Sequence, residues 1–187
     1  DLLNTYYTLM FEAITGHGGV VNQMIGDGLM AIFGAPLPLA DPALSAVRAA
    51  MDMQEMIGLF NAERVALQKS PIRIGIGIAT GDMVAGYTGT QNRATYTCIG
   101  DTVNLAARLE AHTKVIGKGI AVDAATHSAL EGRIPLEKCE AVTFKGKSLV
   151  SITPRTKRRP PSITTSESFV VSNSVPPLTV PPPLTAS

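Results

Sequence analysis

The hydrophobic and polar residues of the chain alternate with two different periods. Apolar residues recur at helical spacing over residues 1–15, after Asp41-Pro42 and over residues 101–113. Residues 72–79 instead alternate with a period of two, which is typical of a β-strand. The other predicted elements are a hairpin at 20–33, a strand at 83–86, a polar loop at 87–100, a strand at 119–122, a helix at 124–130 and two weaker strands within 134–153.

This order predicts an α+β fold, with a ferredoxin-like antiparallel sheet of the split βαβ type and helices packed on one face. Such a unit has a strand before its first helix. The chain opens directly with the helical pattern at residues 1–15, so we expect that first strand to be missing. Gly75 and Gly77 fall on one face of the period-two strand, which predicts that another backbone segment packs closely there.

The last part of the chain has a different composition. Pro, Ser and Thr dominate residues 154–187, and such a segment cannot bury enough apolar surface to offset its chain entropy. We therefore predict one domain at residues 1–153, followed by a disordered tail at 154–187.

Composition and charge exclude several classes of protein. The 16 basic and 15 acidic residues give a net charge of +1, too small to indicate a nucleic-acid partner, and the strand at 72–79 has no aromatic residue for stacking on bases. No apolar run is long enough to span a membrane. Cys98 and Cys139 have neither disulfide nor zinc-site spacing. We expect a cytoplasmic domain without membrane contact in this segment, any anchor lying upstream.

Asp27 lies between two glycines at the predicted hairpin tip. An exposed carboxylate there suits Mg²⁺, which binds to one or two carboxylates together with substrate phosphates. An ordinary Asp-Gly turn is the commoner explanation of these residues.

Two further motifs carry residues suited to phosphate chemistry. Asn104 and Arg108 are four residues apart, so they share one helix face, where Arg can bind phosphate and Asn a ribose oxygen. The alternative is a solvated face on which both are bystanders. Lys145 and Lys147 flank Gly146 and could contact a polyphosphate, although a charged β-turn is commoner.

Taken together, the motifs resemble the catalytic domains of class III adenylyl and guanylyl cyclases over about residues 1–153. The matching segments, in family order, are HGG at 17–19, IGDGLMAIFGAP at 25–36, IGIGIATGDMVAG at 74–86, YTCIGDTVNLAARLE at 96–110 and FKGK at 144–147.

The resemblance implies a head-to-tail homodimer whose active sites lie at the subunit interface. Two Mg²⁺ or Mn²⁺ ions would be held by two aspartates, of which Asp27 is one and the other is expected upstream of Asp1. Asn104 matches the residue that orients the ribose, Arg108 the one that stabilises charge on the transferring phosphorus, and Lys145 a contact to the terminal phosphates. The ribose 3′-hydroxyl would attack the α-phosphorus in line and expel pyrophosphate.

The residues matching the base-reading positions of the family are Gln23 and Thr97. Thr97 fits the adenylyl cyclase pattern. Gln23 replaces the usual Lys, and an amide discriminates poorly between the edges of adenine and guanine. We expect ATP to be favoured over GTP, with guanylyl cyclase activity as an alternative.

Two other interpretations remain. A degenerate cyclase domain could serve only as a dimerising or regulatory module, and a single aspartate cannot hold two metal ions, so we expect the 187-residue chain by itself to be inactive or nearly so. A diguanylate cyclase would have a GGDEF-type turn, which Gly26-Asp27-Gly28-Leu29 is not.

Overall fold

Most helices and strands lie where the sequence pattern predicts them. The computed structural model describes the backbone of residues 2–90, 93–144, 147–154 and 166–173, and the side chains of residues 2–86 and 97–137. In chain order the elements are α1 (Leu2–Gly16), β1 (Val20–Ile25), β2 (Gly28–Phe33), α2 (Pro42–Ala66), β3 (Arg73–Thr80), β4 (Val84–Thr90), β5 (Arg93–Ile99), α3 (Asp101–Ile116), β6 (Ile120–Val122), α4 (Ala124–Ala129), β7 (Leu136–Phe144), β8 (Lys147–Pro154) and β9 (Ser166–Asn173).

Local sequence signals set several element boundaries. The carboxylate of Asp41 accepts a hydrogen bond of 3.1 Å from the backbone N–H of Leu44, and Pro42 occupies the first helical position of α2. Helix α3 ends at Gly117, whose left-handed φ of 65° suits a residue without a Cβ atom.

The main sheet contains seven strands in the order β1-β2-β9-β3-β6-β8-β7, and β4 and β5 form a separate hairpin. The main hydrophobic core lies between this sheet and helices α1 and α2, and Ile74, Ile76 and Ile78 of β3 contribute to it. The predicted α+β class is confirmed.

Helix α3 packs on the face of β3 opposite to α1 and α2, so the helices do not all lie on one face of the sheet as expected. A Cβ atom on Gly77 would collide with the backbone of Ala106 and Glu110, and one on Gly75 with the side chain of Thr113. The predicted close approach of another backbone segment at these glycines is therefore confirmed, and α3 is that segment.

Residues 87–100, expected to form a polar loop, belong largely to the β4–β5 hairpin. Tyr87 pairs with Tyr96 and Thr88 with Thr95, so this segment satisfies its backbone groups by pairing with itself. The loop expectation is wrong here because aromatic and β-branched residues favour strands even in a polar segment.

Strand β9 lies between β2 and β3 in the main sheet. It runs parallel to both neighbours. Both neighbours are buried along nearly their whole length, so their inward backbone groups require a hydrogen-bonding partner. A strand before α1, joined to β1 by a crossover, would run parallel to β1 and therefore antiparallel to β2. Strand β9 runs parallel to β2, so it is not equivalent to that first strand.

The formation of β9 differs from the expectation of a disordered tail at 154–187. In the register with β3, Ser168 pairs with Gly75 and Ser172 with Ala79, and the strand contacts α3. Residues 155–165 and 174–187 lie outside the described residues, and the domain boundary at 153 stays a prediction. No helix in the described ranges combines the length and apolar character that a membrane crossing needs.

Candidate functional site

The turn between β1 and β2 presents Asp27 to solvent. Ile25 pairs with Gly28, so Gly26 and Asp27 are the two central residues of the turn. Gly26 has a φ of 64°, whereas Asp27 is not among the residues of positive φ, a combination typical of a type II′ turn. The carboxylate of Asp27 makes no hydrogen bond or ion pair with any described residue.

Helix α1 contacts this turn through a residue that sequence reasoning did not identify. The hydroxyl of Tyr7 donates a hydrogen bond of 2.6 Å to the carbonyl oxygen of Gly26. The half-buried ring of Tyr7 packs at the edge of the main core, 5.4 Å from the ring of Tyr6. The two residues are 19 positions apart in the sequence, so no local signal reveals this contact.

Gln23 is exposed on β1, next to a β-bulge. The register of β1 against β2 shifts between Val21 and Gln23, which leaves Asn22 as the extra residue. Gln23 itself pairs with Met30 of β2. A bulge changes the direction of the side chains that follow it, so this bulge affects the direction in which the Gln23 side chain points.

Thr97 lies on β5, which contacts β1. Thr97 is half-buried and pairs with Gly86 of β4. The next residue, Cys98, is buried against Met30 and Ile32 of β2, and this burial raises the pKa of its thiol. Gln23 and Thr97 therefore lie on neighbouring elements.

Asn104 and Arg108 lie on the outward face of α3. The inward face is formed by buried residues that pack toward β3, namely Ala106, Leu109, Glu110 and Thr113. Asn104 is exposed and Arg108 half-buried, and neither side chain makes a hydrogen bond or ion pair with a described residue. Arg108 lines a cavity of about 220 Å³ together with Ala111, His112 and Val115.

The first turn of α3 is anchored to the connection between β3 and β4. The hydroxyl of Thr102 donates a hydrogen bond of 2.8 Å to the carbonyl oxygen of Asp82. The backbone N–H of Asn104 donates to the carbonyl oxygen of Gly100 at 3.3 Å. The second bond lies within the helix, so the Thr102 hydrogen bond and the close packing at Gly77 are the contacts that hold α3, which carries Asn104 and Arg108.

Within one chain these candidate residues form two separate groups. Asp27, Gln23 and Thr97 belong to the β1–β2 hairpin and the strand beside it, whereas Asn104 and Arg108 point away from the chain's own sheet. No hydrogen bond or ion pair joins the groups in the described part of the structure. Lys145 and the side chain of Cys139 lie outside the described residues.

Asp27 has part of the chemistry that a divalent metal site requires. Its carboxylate is a hard oxygen donor in solvent, which suits Mg²⁺ or Mn²⁺ bound jointly with phosphates. The residues with described side chains contain no cluster of three or more His, Cys, Asp and Glu that could hold a metal ion. Asp27 therefore fits as one ligand, and a two-metal site needs a second carboxylate.

Comparison with known proteins identifies the family to which this chain is similar. Residues 1–157 match the family model of the adenylate and guanylate cyclase catalytic domain. The chain is 36% identical over 154 residues to the terminal-differentiation specific adenylate cyclase of Dictyostelium discoideum. It is 31% identical over 147 residues to adenylate cyclase 1 of Rhizobium meliloti. Each match covers 79% of this chain, but only 7% of the first relative and 22% of the second.

Two solved structures share the fold over most of the chain. The guanylyl cyclase Cya2 matches with a TM-score of 0.70 and 33% identity, over 80% of this chain and 75% of that one. The adenylyl cyclase CyaB from P. aeruginosa matches with a TM-score of 0.71 and 25% identity, over 85% and 83%. The chain belongs to the adenylate and guanylate cyclase catalytic domain family.

Proposed function

We propose that this domain converts a nucleoside triphosphate, ATP in preference to GTP, into a 3′,5′-cyclic nucleotide and pyrophosphate. The proposal rests on the exposure and the lack of bonding partners of three side chains. Asp27, Asn104 and Arg108 all reach solvent, and none has a hydrogen-bonding or ion-pairing partner among the described residues. Membership of the cyclase family supplies the reaction that these unengaged groups would serve.

Each site is proposed to be shared by two copies of the chain in a head-to-tail dimer. Arg108 faces away from the sheet that carries Asp27, so a second copy is the natural source of the missing half. Exposed apolar residues flank both halves, with Met24 and Ile25 beside Asp27 and Val115 beside Arg108; their exposed fractions are 57%, 59% and 79%. Such residues favour burial against a partner.

The residues of the two copies would then have distinct roles. Asn104 would hold the ribose by a hydrogen bond, so that its 3′-hydroxyl lies in line with the α-phosphorus. As the new P–O bond forms and the bond to pyrophosphate breaks, Arg108 would stabilise the negative charge on the phosphorus oxygens. Lys145 is proposed to contact the terminal phosphates.

Two Mg²⁺ or Mn²⁺ ions, when bound, would acidify the ribose hydroxyl and neutralise the leaving phosphates. Asp27 is positioned to hold them with the triphosphate, provided that a second carboxylate joins it. Gln23 and Thr97 would contact the base. The preference for ATP is supported by Thr97, while Gln23 permits some use of GTP.

A second candidate function is a cyclase-like module that dimerises without turnover. It is favoured by the single carboxylate at the described hairpin tip and by the absence of a metal-binding cluster among the described side chains. Turnover distinguishes the two functions. We expect little cyclic nucleotide from the 187-residue chain alone, and substantially more once an aspartate-bearing first strand from a relative is joined before α1.

Subunit complementation tests the shared site. In the extended chain, Asp27→Asn and Arg108→Ala should each abolish most turnover of ATP with Mn²⁺. Mixing the two variants should restore about a quarter of the wild-type activity, since half of the dimers are mixed and each contains one intact site of two. Absence of recovery in mixtures shown to contain mixed dimers would contradict the shared site. Turnover undiminished in both single variants would contradict the proposed roles of Asp27 and Arg108, and no turnover by the extended chain itself would contradict the enzymatic assignment.

Replacement of Gln23 by Lys tests the base-reading role. A lysine donates hydrogen bonds but cannot accept them, so the ratio of kcat/KM for ATP to that for GTP should increase. Gln68→Lys, the same substitution at an exposed residue outside the proposed site, is the control for a change of net charge. An unchanged ratio in Gln23→Lys would show that this residue does not touch the base.

A further inference from the structure

Tyr7 connects helix α1 to the turn that carries Asp27. Its hydroxyl lies 2.6 Å from the carbonyl oxygen of Gly26, the residue directly before Asp27. The Tyr7 ring packs at the edge of the main core and contacts the ring of Tyr6, which is fully buried. The core therefore fixes the ring, and the hydroxyl is the one part of the side chain that reaches the turn.

The carbonyl of Gly26 belongs to the peptide unit between the two central residues of the turn. The ladder pair of Ile25 and Gly28 fixes both ends of the turn but leaves the orientation of this central peptide open. Types I′ and II′ differ by a rotation of that peptide, which also changes φ of the second central residue. In this turn that residue is Asp27.

We infer that Tyr7 is a positioning residue for Asp27: its hydrogen bond holds the central peptide of the turn in one orientation and thereby aims the carboxylate that binds the metal ion. The inference rests on the proposed metal-binding role of Asp27. Without the hydroxyl, the turn would sample both peptide orientations, and the carboxylate would be correctly placed for only part of the time. The metal affinity would fall in proportion to that fraction.

The matched variants are Tyr7→Phe and Thr8→Val. Tyr7→Phe removes the hydroxyl and keeps the ring in the core. Thr8→Val, the control, removes another exposed hydroxyl of α1, which donates to the carbonyl oxygen of Asn4 at 2.9 Å and does not reach the hairpin. Thermal unfolding of both variants shows whether either loses overall stability.

The test is a titration of the ¹⁵N-labelled full chain with Mn²⁺ alone, followed by the paramagnetic broadening of the Gly26 and Gly28 amide signals. This measurement reports binding at the hairpin and needs no turnover. For Tyr7→Phe we expect half-maximal broadening at a Mn²⁺ concentration roughly three- to tenfold higher than for the wild type, the range that one hydrogen bond supports. Thr8→Val should follow the wild-type curve, and superimposable curves for Tyr7→Phe and the wild type would overturn the inference.

Combining Tyr7→Phe with Asp27→Asn separates positioning from a general structural effect. If Tyr7 acts through the carboxylate, it has no further effect on Mn²⁺ broadening once Asp27→Asn is present. An equal additional loss in the double variant would contradict the inference. If Asp27→Asn alone leaves the broadening unchanged, the metal-binding role of Asp27 is wrong, and the failure lies in the proposed function rather than in Tyr7.

Discussion

The two faces of strand β3 are packed in opposite ways. On one face Ile74, Ile76 and Ile78 fill the main core beneath α1 and α2. On the other, Gly75 and Gly77 leave room for α3, whose backbone approaches so closely that a Cβ atom would not fit. One strand thus has a face of large side chains and a face with almost none.

The difference concerns how precisely each neighbouring helix is placed. Interdigitated side chains can adjust their rotamers when one of them changes size. Contact between two backbones has no such freedom, so the distance from α3 to β3 is nearly invariant. Helix α3 carries Asn104 and Arg108, and the glycine face therefore determines where the proposed catalytic residues lie.

The largest effect is expected on the outward side of α3. Arg108→Ala should lower kcat by about 10² to 10³, because a hydrogen-bond donor to the charge that develops on the phosphorus oxygens is lost. The free energy of unfolding should hardly change, since Arg108 forms no ion pair with a described residue. Steady-state kinetics and thermal unfolding of the extended chain measure both quantities. Lys69→Ala, which removes a positive charge from an exposed residue outside the proposed site, is the control, and an equal loss there would assign the effect to net charge.

Substitution of one glycine on the close-packed face should destabilise the domain strongly. Gly77→Ala places a methyl group against the backbone of Ala106 and Glu110, and we expect a loss of about 3 kcal/mol in the free energy of unfolding. Gly58→Ala in α2 meets no atom within 4 Å and should instead stabilise by roughly 0.5–1 kcal/mol, as alanine does within helices. Urea unfolding of the two variants compares the same change in two surroundings. Similar values for both would mean that α3 does not lie as close to β3 as described.

A smaller effect is expected on the isoleucine face. Ile76→Val removes one methylene group from the buried core and should cost about 0.5–1.5 kcal/mol in the free energy of unfolding. The cost should be well below that of Gly77→Ala, although the two residues are adjacent. The same urea unfolding experiment serves, and a reversed order would invalidate the contrast between the faces.

The smallest effect concerns the ion pair of Asp41 with Arg133, at the start of the helix that covers the isoleucine face. Burial acts to raise the pKa of Asp41, but hydrogen bonds from Arg133 and the Leu44 N–H, with the charges of Arg133 and Arg48, outweigh it and lower the pKa. The folded state thus favours the charged form, so the stabilisation exists at neutral pH and is lost as the pH falls through the lowered pKa. Because the pair is partly exposed, the contribution should be below about 1 kcal/mol.

Acid titration of unfolding checks this expectation. Between about pH 6 and pH 2, Asp41→Asn should lose less stability than the wild type, because it lacks the carboxylate that becomes protonated. Identical pH dependence of the two proteins would show that the ion pair does not contribute.

Sequence reasoning identified the parts of this protein that depend on near neighbours. The start of α2 at Asp41-Pro42, the hairpin around Asp27 and the shared helix face of Asn104 and Arg108 all follow from residues no more than four positions apart. The family motifs added the proposed roles of these residues, which remain proposals. The glycine pattern even predicted that a backbone segment would pack against β3.

Tertiary structure decided that the segment packed against Gly75 and Gly77 is α3, on the face of β3 opposite to α1 and α2. It also decided that β4 pairs with β5, that β9 pairs between β2 and β3, and that Tyr7 reaches Gly26. These contacts join residues far apart in the chain, and their free energy depends on distances set by the packing of the whole core. A local pattern contains the preference of each segment for helix or strand, but not the partner that completes its hydrogen bonds and buries its surface.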